Sequence, residues 1–224
     1  PSMDRFYINP QWSSRLHDAG LDSLDRLLSY QGGQVVSQHP RRGRTCRTQL
    51  PDGSTVFVKT DNFTYFKQVC KDLLAWRWPA PNSVREREAY ALLAAHCFLT
   101  PEVIAWWTRS HLGYPGAAGM ICLPVPGVPL DRYLHRHRGD PQKCQAAIDC
   151  VAAEFDRMLG CGFDWRDHKP EHFFVSDGDP MLVSIIDLER MSLSSQILPS
   201  QLIARRLADF RRLCAKELQR HEEE

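Results

Sequence analysis

Three stretches of this 224-residue chain predict an α+β fold in two lobes. An alternating, β-branched region ends in VFVK, a helix-spaced run VREREAYALLAAH follows, and beyond a proline-broken apolar segment the pattern turns to long helices and a short hairpin. The expected layout is a small antiparallel-sheet N-lobe over residues 1–122, a hinge at 123–128, and a short, mainly helical C-lobe over 129–224.

Each element has its own signal. Around Val35, Val36, Thr45 and Thr48 the apolar and β-branched residues alternate, P-D-G makes a turn at 51–53, and Thr55 to Lys59 reads as the returning strand. A helix then starts behind Asn82 or Ser83, with Val84, Tyr90, Ala91 and Leu92 or Leu93 near helical spacing. GMICLPVPGVPL is apolar and interrupted by three prolines, which suits a strand leaving one lobe and a stiff crossing into the next. DRYLHRHRG reads as a helix. A longer one follows, opening on Pro141 and ending near Gly160 or Gly162. A polar loop from Trp165 to Glu171 leads to a strand at Phe173 to Val175, the turn SDGDP, and a second strand from Met181 to Ile186 that ends in Asp187. RRLADFRRLCAKELQR at 205–220 is a basic amphipathic helix.

Composition excludes several classes. With 43% hydrophobic and 25% charged residues the chain is neither disordered, collagen-like nor a coiled coil. Lys and Arg number 28 against 27 Asp and Glu, a net +1, so no overall field points to nucleic acid as a partner. No run of apolar residues is long enough for a membrane span and the first residues lack a signal-peptide core, so a soluble, cytoplasmic protein is expected. The eight cysteines lack zinc-site spacing and are expected to be reduced and buried, Cys161 included.

The hairpin carries the chemistry. Asp167 at its entry and Asp187 at its exit lie 20 positions apart, so their carboxylates can meet at one end. Phosphoryl transfer from ATP needs one carboxylate to take the proton of the attacking hydroxyl, a second to hold magnesium on the phosphates, and a lysine to offset phosphate charge. Asp167, Asp187 and Lys59 are of the required types, with Glu88 on the helix as the partner of Lys59.

RGRTCR leads into VFVK; WRDHKPEH stands where a protein kinase has H-R-D-x-K-x-x-N; IIDLERM takes the place of D-F-G; and LADFRRL is similar to a D-L-x-x-L pattern in a terminal helix, with Phe210 in the place of the first Leu. In this order and spacing, over about residues 35 to 215, the motifs resemble the lipopolysaccharide kinase family, protein-kinase-like enzymes that phosphorylate heptose or Kdo in the Gram-negative inner core. The resemblance implies that Lys59 contacts the ATP phosphates and that Glu88 holds it, preferred over Glu86 because Leu92 follows four residues later. It makes Asp167 the base, Lys169 a second phosphate contact and Asp187 the principal Mg2+ ligand, with His172 in the place of the metal-binding Asn. Leu123 and Val125 in the hinge fall to the nucleotide. No G-x-G-x-x-G is present, and Arg42, Arg44 and Arg47 are candidates to grip phosphate instead.

The acceptor implied is a lipopolysaccharide core oligosaccharide or its lipid-linked precursor. Asp187 is followed by only 37 residues, too few for the platform on which protein kinases seat a peptide. Trp76 and Trp78 in LLAWRWPAP, together with the basic 205–220 helix, are the residue types of a surface that rests on anionic lipid, so peripheral contact with the cytoplasmic face of the inner membrane is a further expectation. Two alternatives stay open: a small-molecule kinase of the aminoglycoside or choline type, and, from Trp165, His172 and the absent glycine loop, a pseudokinase acting as a binding module.

Overall fold

Six strands form one antiparallel sheet in the computed structural model, which describes residues 2–39, 43–61, 69–70, 73–74, 79–111, 114–194 and 196–220. They are β1 (Ser2–Ile8), β2 (Gln34–His39), β3 (Gly43–Gln49), β4 (Thr55–Asp61), β5 (Val103–His111) and β6 (Tyr114–Cys122), in the order β1-β5-β6-β4-β3-β2. Trp76 and Trp78 lie outside the described residues.

Side chains alternate across β4, and each face has its own cover. Val56 and Val58 are fully buried against Leu16 of α1 (Ser13–Asp18), Leu27 of α2 (Leu24–Leu28), and Leu21. Helices of five and six residues do not hold alone. Burial of Leu16, Leu21 and Leu27, worth about 2 kcal/mol each, is what fixes them. Gly119 of β6 lets the Trp107 ring lie flat across the sheet: a Cβ there would come 2.2 Å from Trp107 Cζ2 and 2.5 Å from the Lys59 carbonyl oxygen.

The opposite face of β4 presents Lys59 and Asp61 to the start of α3 (Asn82–Ala95). Asp61 accepts from the Ser83 N–H at 2.6 Å, satisfying one of the free donors at the helix N-terminus. Ser83, Glu86, Tyr90 and Leu93 recur at helical spacing and all are buried, so the inward stripe of α3 is fixed on Leu93; Leu92 is exposed.

The chain divides into two compact units, Pro1–Glu88 with Pro101–Pro124, and Ala89–Thr100 with Val125–Glu224. This differs from a break at residue 122 because the second half of α3 belongs with the later unit. Ile185 there donates to the Leu99 carbonyl at 2.9 Å.

In the second unit β7 (Val128–Pro129), β9 (Phe173–Val175) and β10 (Val183–Ile185) form a three-stranded sheet, and β8 (Phe163–Trp165) pairs with β11 (Met191–Leu193). Around them lie α4 (Leu130–Arg136), α5 (Pro141–Gly160) and α6 (Ser200–Arg220). Asp140 caps α5 by accepting from Lys143 N–H at 3.1 Å, ahead of Pro141. The core is aromatic: Phe173 stands edge to face with Trp165 at 5.3 Å, Phe155 at 5.7 Å and Phe210 at 5.1 Å. Such pairs add about 1 kcal/mol each beyond their burial. Arg206 ties α6 to β8 through a two-pronged bond to Asp164, at 3.0 and 3.3 Å.

The helices expected from DRYLHRHRG, the Pro141 segment and the basic C-terminal run all form. Sequence patterning alone did not reveal β1, α1, α2 or β5, and it placed Trp165 in a loop where the residue ends a strand. Cys46, Cys122, Cys144 and Cys214 are buried as expected, whereas Cys97 and Cys161 are exposed; Cys161 sits in the turn that closes α5. Among the described residues no helix is long and apolar enough to cross a membrane.

Candidate active site

Lys59 reaches its carboxylate partner in the first unit, but the partner is Glu86 and not Glu88. Glu86 lies on the buried stripe of α3 with its side chain 4% exposed, whereas Glu88 is 63% exposed and meets Arg87 at 3.8 Å. Two residues on a helix are about 200° of rotation, so only one of these glutamates can face β4. Phasing the helix on Leu93 rather than Leu92 identifies the right one from the sequence.

Cys122, fully buried near this pair, has its thiol pushed far up by burial and then by the Glu86 charge, so it packs and does not react.

Arg44 and Arg47 do not converge. The β3 to β4 register is unbroken, pairing Thr45 with Lys59 and Arg47 with Phe57, so Arg47 shares the Lys59 face of the sheet. Arg44 is three residues from Arg47 and therefore on the other face, where its guanidinium donates to the Tyr30 carbonyl. That corrects the expectation of a joint clamp; Arg42 lies outside the described residues. Leu123 lies one residue before the end of the first unit, its N–H donating to the Glu102 carbonyl at 2.9 Å, and Val125 opens the longer segment of the second.

In the second unit the loop before β9 and the exit of β10 meet. The Ile186 N–H donates to the His172 carbonyl at 3.0 Å, which sets Asp187 beside His172. Asp187 then takes a left-handed backbone conformation, φ 57°, which aspartate tolerates better than most residues. Its N–H donates to the Tyr90 hydroxyl at 3.2 Å, a support that no local sequence signal announces.

His172 is nearly enclosed, its side chain 9% exposed and its ring 5.8 Å from that of Trp165. Its Nδ1 lies 2.7 Å from the Asp167 carbonyl oxygen, and because a carbonyl only accepts, Nδ1 carries the proton of that bond. The other nitrogen, Nε2, faces Asp187 Oδ2 at 3.3 Å and Glu171 Oε1 at 3.5 Å.

Asp167, His172 and Asp187 each offer a ligand atom, all within 4.8 Å of one another. With Nδ1 donating to the Asp167 carbonyl, Nε2 is the ring atom turned toward the carboxylates, so one imidazole nitrogen and two carboxylates come together at one point. The donor set therefore fits a divalent ion.

Lys169 stands at the rim, 3.7 Å from Asp167 and 3.4 Å from Glu171. Partial burial pulls its pKa down, but the charges of Asp167, Glu171 and Asp187 outweigh that and hold it above the usual lysine range. It is a firmly charged group, suited to phosphate oxygens and unsuited to act as a base. His168 points into the core, its Nδ1 3.0 Å from the Trp165 carbonyl and its ring stacked on Phe155 at 5.1 Å.

The model of the lipopolysaccharide kinase (Kdo/WaaP) family matches residues 27–221, nearly the whole chain. The chain belongs to this family. No curated protein matches the kinase in sequence. Among solved structures it is similar to WaaP in complex with acyl carrier protein, at 20% identity and a TM-score of 0.68 over 96% of this chain and 87% of that one, and the two share a fold. A weaker likeness, TM-score 0.42 and 18% identity over 70% of this chain and 37% of the other, is to Rad53 1-466 in complex with AMP-PNP. As a lipopolysaccharide kinase the chain is a phosphotransferase with a kinase-like fold.

Proposed function

We propose that this kinase transfers the γ-phosphoryl group of ATP to a hydroxyl of an inner-core sugar of lipopolysaccharide, most readily a heptose and otherwise Kdo. The convergence of Asp167, His172 and Asp187 in a chain of this family carries the reading. Asp167 orients the sugar hydroxyl and accepts its proton as the oxygen bonds to phosphorus and the bond to ADP breaks. A carboxylate suffices, because the transition state is loose and asks more for position and charge than for basicity. Lys169 meets the charge on the transferred phosphoryl, and Lys59, held by Glu86, meets that of the nucleotide phosphates. Asp187 and His172 would hold Mg2+, which would supply positive charge to offset that of the phosphates. Residues 123–128 serve as the hinge, with Leu123 and Val125 against the nucleotide.

The acceptor is the core oligosaccharide or a lipid-linked precursor, met at the cytoplasmic face of the inner membrane. α6 turns Arg205, Arg212 and Lys216 outward, the charge pattern for peripheral contact with anionic lipid. Phosphate transfer from labelled ATP to a panel of dephosphorylated core sugars tests the assignment: transfer to a heptose or Kdo acceptor supports it, and turnover restricted to small amino alcohols or aminoglycosides contradicts it.

A further inference from the structure

Kinases that hold their metal through oxygen atoms alone suit magnesium, a hard ion that dehydrates reluctantly and favours oxygen. Here the ring of His172 adds a nitrogen. Its orientation is not left to chance: Nδ1–H is bound to the Asp167 carbonyl at 2.7 Å, the ring is enclosed beside Trp165, and Nε2 is aimed at Asp187 Oδ2, 3.3 Å away. A backbone carbonyl on one imidazole nitrogen is the arrangement that fixes the other as a metal ligand.

We infer that His172 gives this metal site an intrinsic preference for borderline divalent ions, Mn2+ and above all Co2+, over Mg2+, by placing Nε2 in the ligand set beside the Asp187 carboxylate. The inference deepens the proposed phosphotransfer reading and rests on it. An imidazole nitrogen contributes little to a Mg2+ complex and progressively more along the series from Mn2+ to Co2+. Oxygen-only sites discriminate much less. Magnesium then serves this kinase by abundance, while manganese at far lower concentration competes with it.

Binding of metal by the full-length protein with the non-hydrolysable analogue AMP-PNP tests this without reference to turnover. Mn2+ binding is followed by loss of the free-ion electron paramagnetic resonance signal, Co2+ and Mg2+ by competition, and the ligand nitrogen by the electron spin echo modulation of bound Mn2+. The modulation is recorded with ordinary and with 15N-labelled histidine, which separates imidazole from adenine nitrogen. The expected result is a histidine nitrogen coupling in the wild type that vanishes in His172→Asn. The ratio of Co2+ to Mg2+ affinity is also expected to fall by about tenfold or more in that variant. His172→Gln, with a longer oxygen-bearing side chain, is expected to lose the coupling as well. Because the labelling is read on the wild type, the outcome stands even if a variant folds poorly. Bound Mn2+ that is lost in Asp187→Asn but shows no histidine coupling in the wild type overturns the inference and leaves the phosphotransfer reading intact. If no divalent ion binds in the presence of the nucleotide analogue, the reading itself fails and the inference with it.

Discussion

Lys59 of β4 is bonded to Glu86 of α3, and Glu88, two residues on, points to solvent. The pairing follows from strand alternation on one side and helical phase on the other. Lys59 and Asp61 share a face of β4, and α3 answers with Glu86 and the Ser83 N–H.

Glu86→Ala is therefore expected to destabilise the fold by about 2 kcal/mol, somewhat below the cost of breaking a fully buried pair because Lys59 is partly exposed. Glu88→Ala is expected to stay within about 0.5 kcal/mol of the wild type. Urea denaturation compares the two; equal losses, or a larger loss for Glu88, would remove Glu86 from its assigned place.

The bond between Asp164 and Arg206 is two-pronged and largely enclosed, with side chains 12% and 16% exposed. It anchors α6 to the strand that precedes the Asp167 loop. A double-mutant cycle with Asp164→Asn and Arg206→Met is expected to give a coupling of about 2 kcal/mol. A coupling near zero would mean that aromatic packing around Phe210 alone holds the helix.

Gly119 is where β6 passes under Trp107. A methyl group added at this position would lie 2.2 Å from the ring, with backbone on the other side, and neither neighbour can yield cheaply. Gly119→Ala is expected to cost about 2 kcal/mol, read from the shift in thermal midpoint. An unchanged midpoint would show that the ring is free to move.

His168 ties stability to pH. Burial, the main influence, holds its pKa below the ordinary 6.5, so on acidification the unfolded chain takes up the proton first. Its contribution is complete above about pH 6.5 and is lost as pH falls from there through the lower value of the folded state. The gap in thermal midpoint between wild type and His168→Gln should accordingly narrow from about pH 8 to about pH 5. A gap that widens on acidification would contradict a neutral, buried ring.

The hairpin and its two aspartates were legible because local rules govern them: a short apolar strand, a Gly and Pro turn, a second strand. So were α5, which opens on Pro141, and the basic α6. Elsewhere the deciding information was distant in sequence. β1 becomes a strand by pairing with β5, far away in the sequence, from Ser2 opposite His111 to Ile8 opposite Ala105. α1 and α2 are too short to announce themselves and are held by leucines packed on the sheet. The choice between Glu86 and Glu88 hung on a one-residue phase, and the joint arginine clamp failed on the two-residue period of β3. At the site, Asp167 and Asp187 could be paired from the hairpin, but the bond from His172 Nδ1 to a carbonyl needed the folded loop.

Asp167 and Asp187 are proposed to support, together, the transfer of phosphate to a core sugar, and the proposed activity depends on that pairing. Its most direct test is transfer from labelled ATP to purified, dephosphorylated core oligosaccharide by the wild type, Asp167→Asn and Asp187→Asn, each first checked for an intact fold by circular dichroism. Transfer by the wild type and a loss of about a thousandfold or more in each folded variant is the expected result. Undiminished transfer by either variant would contradict it.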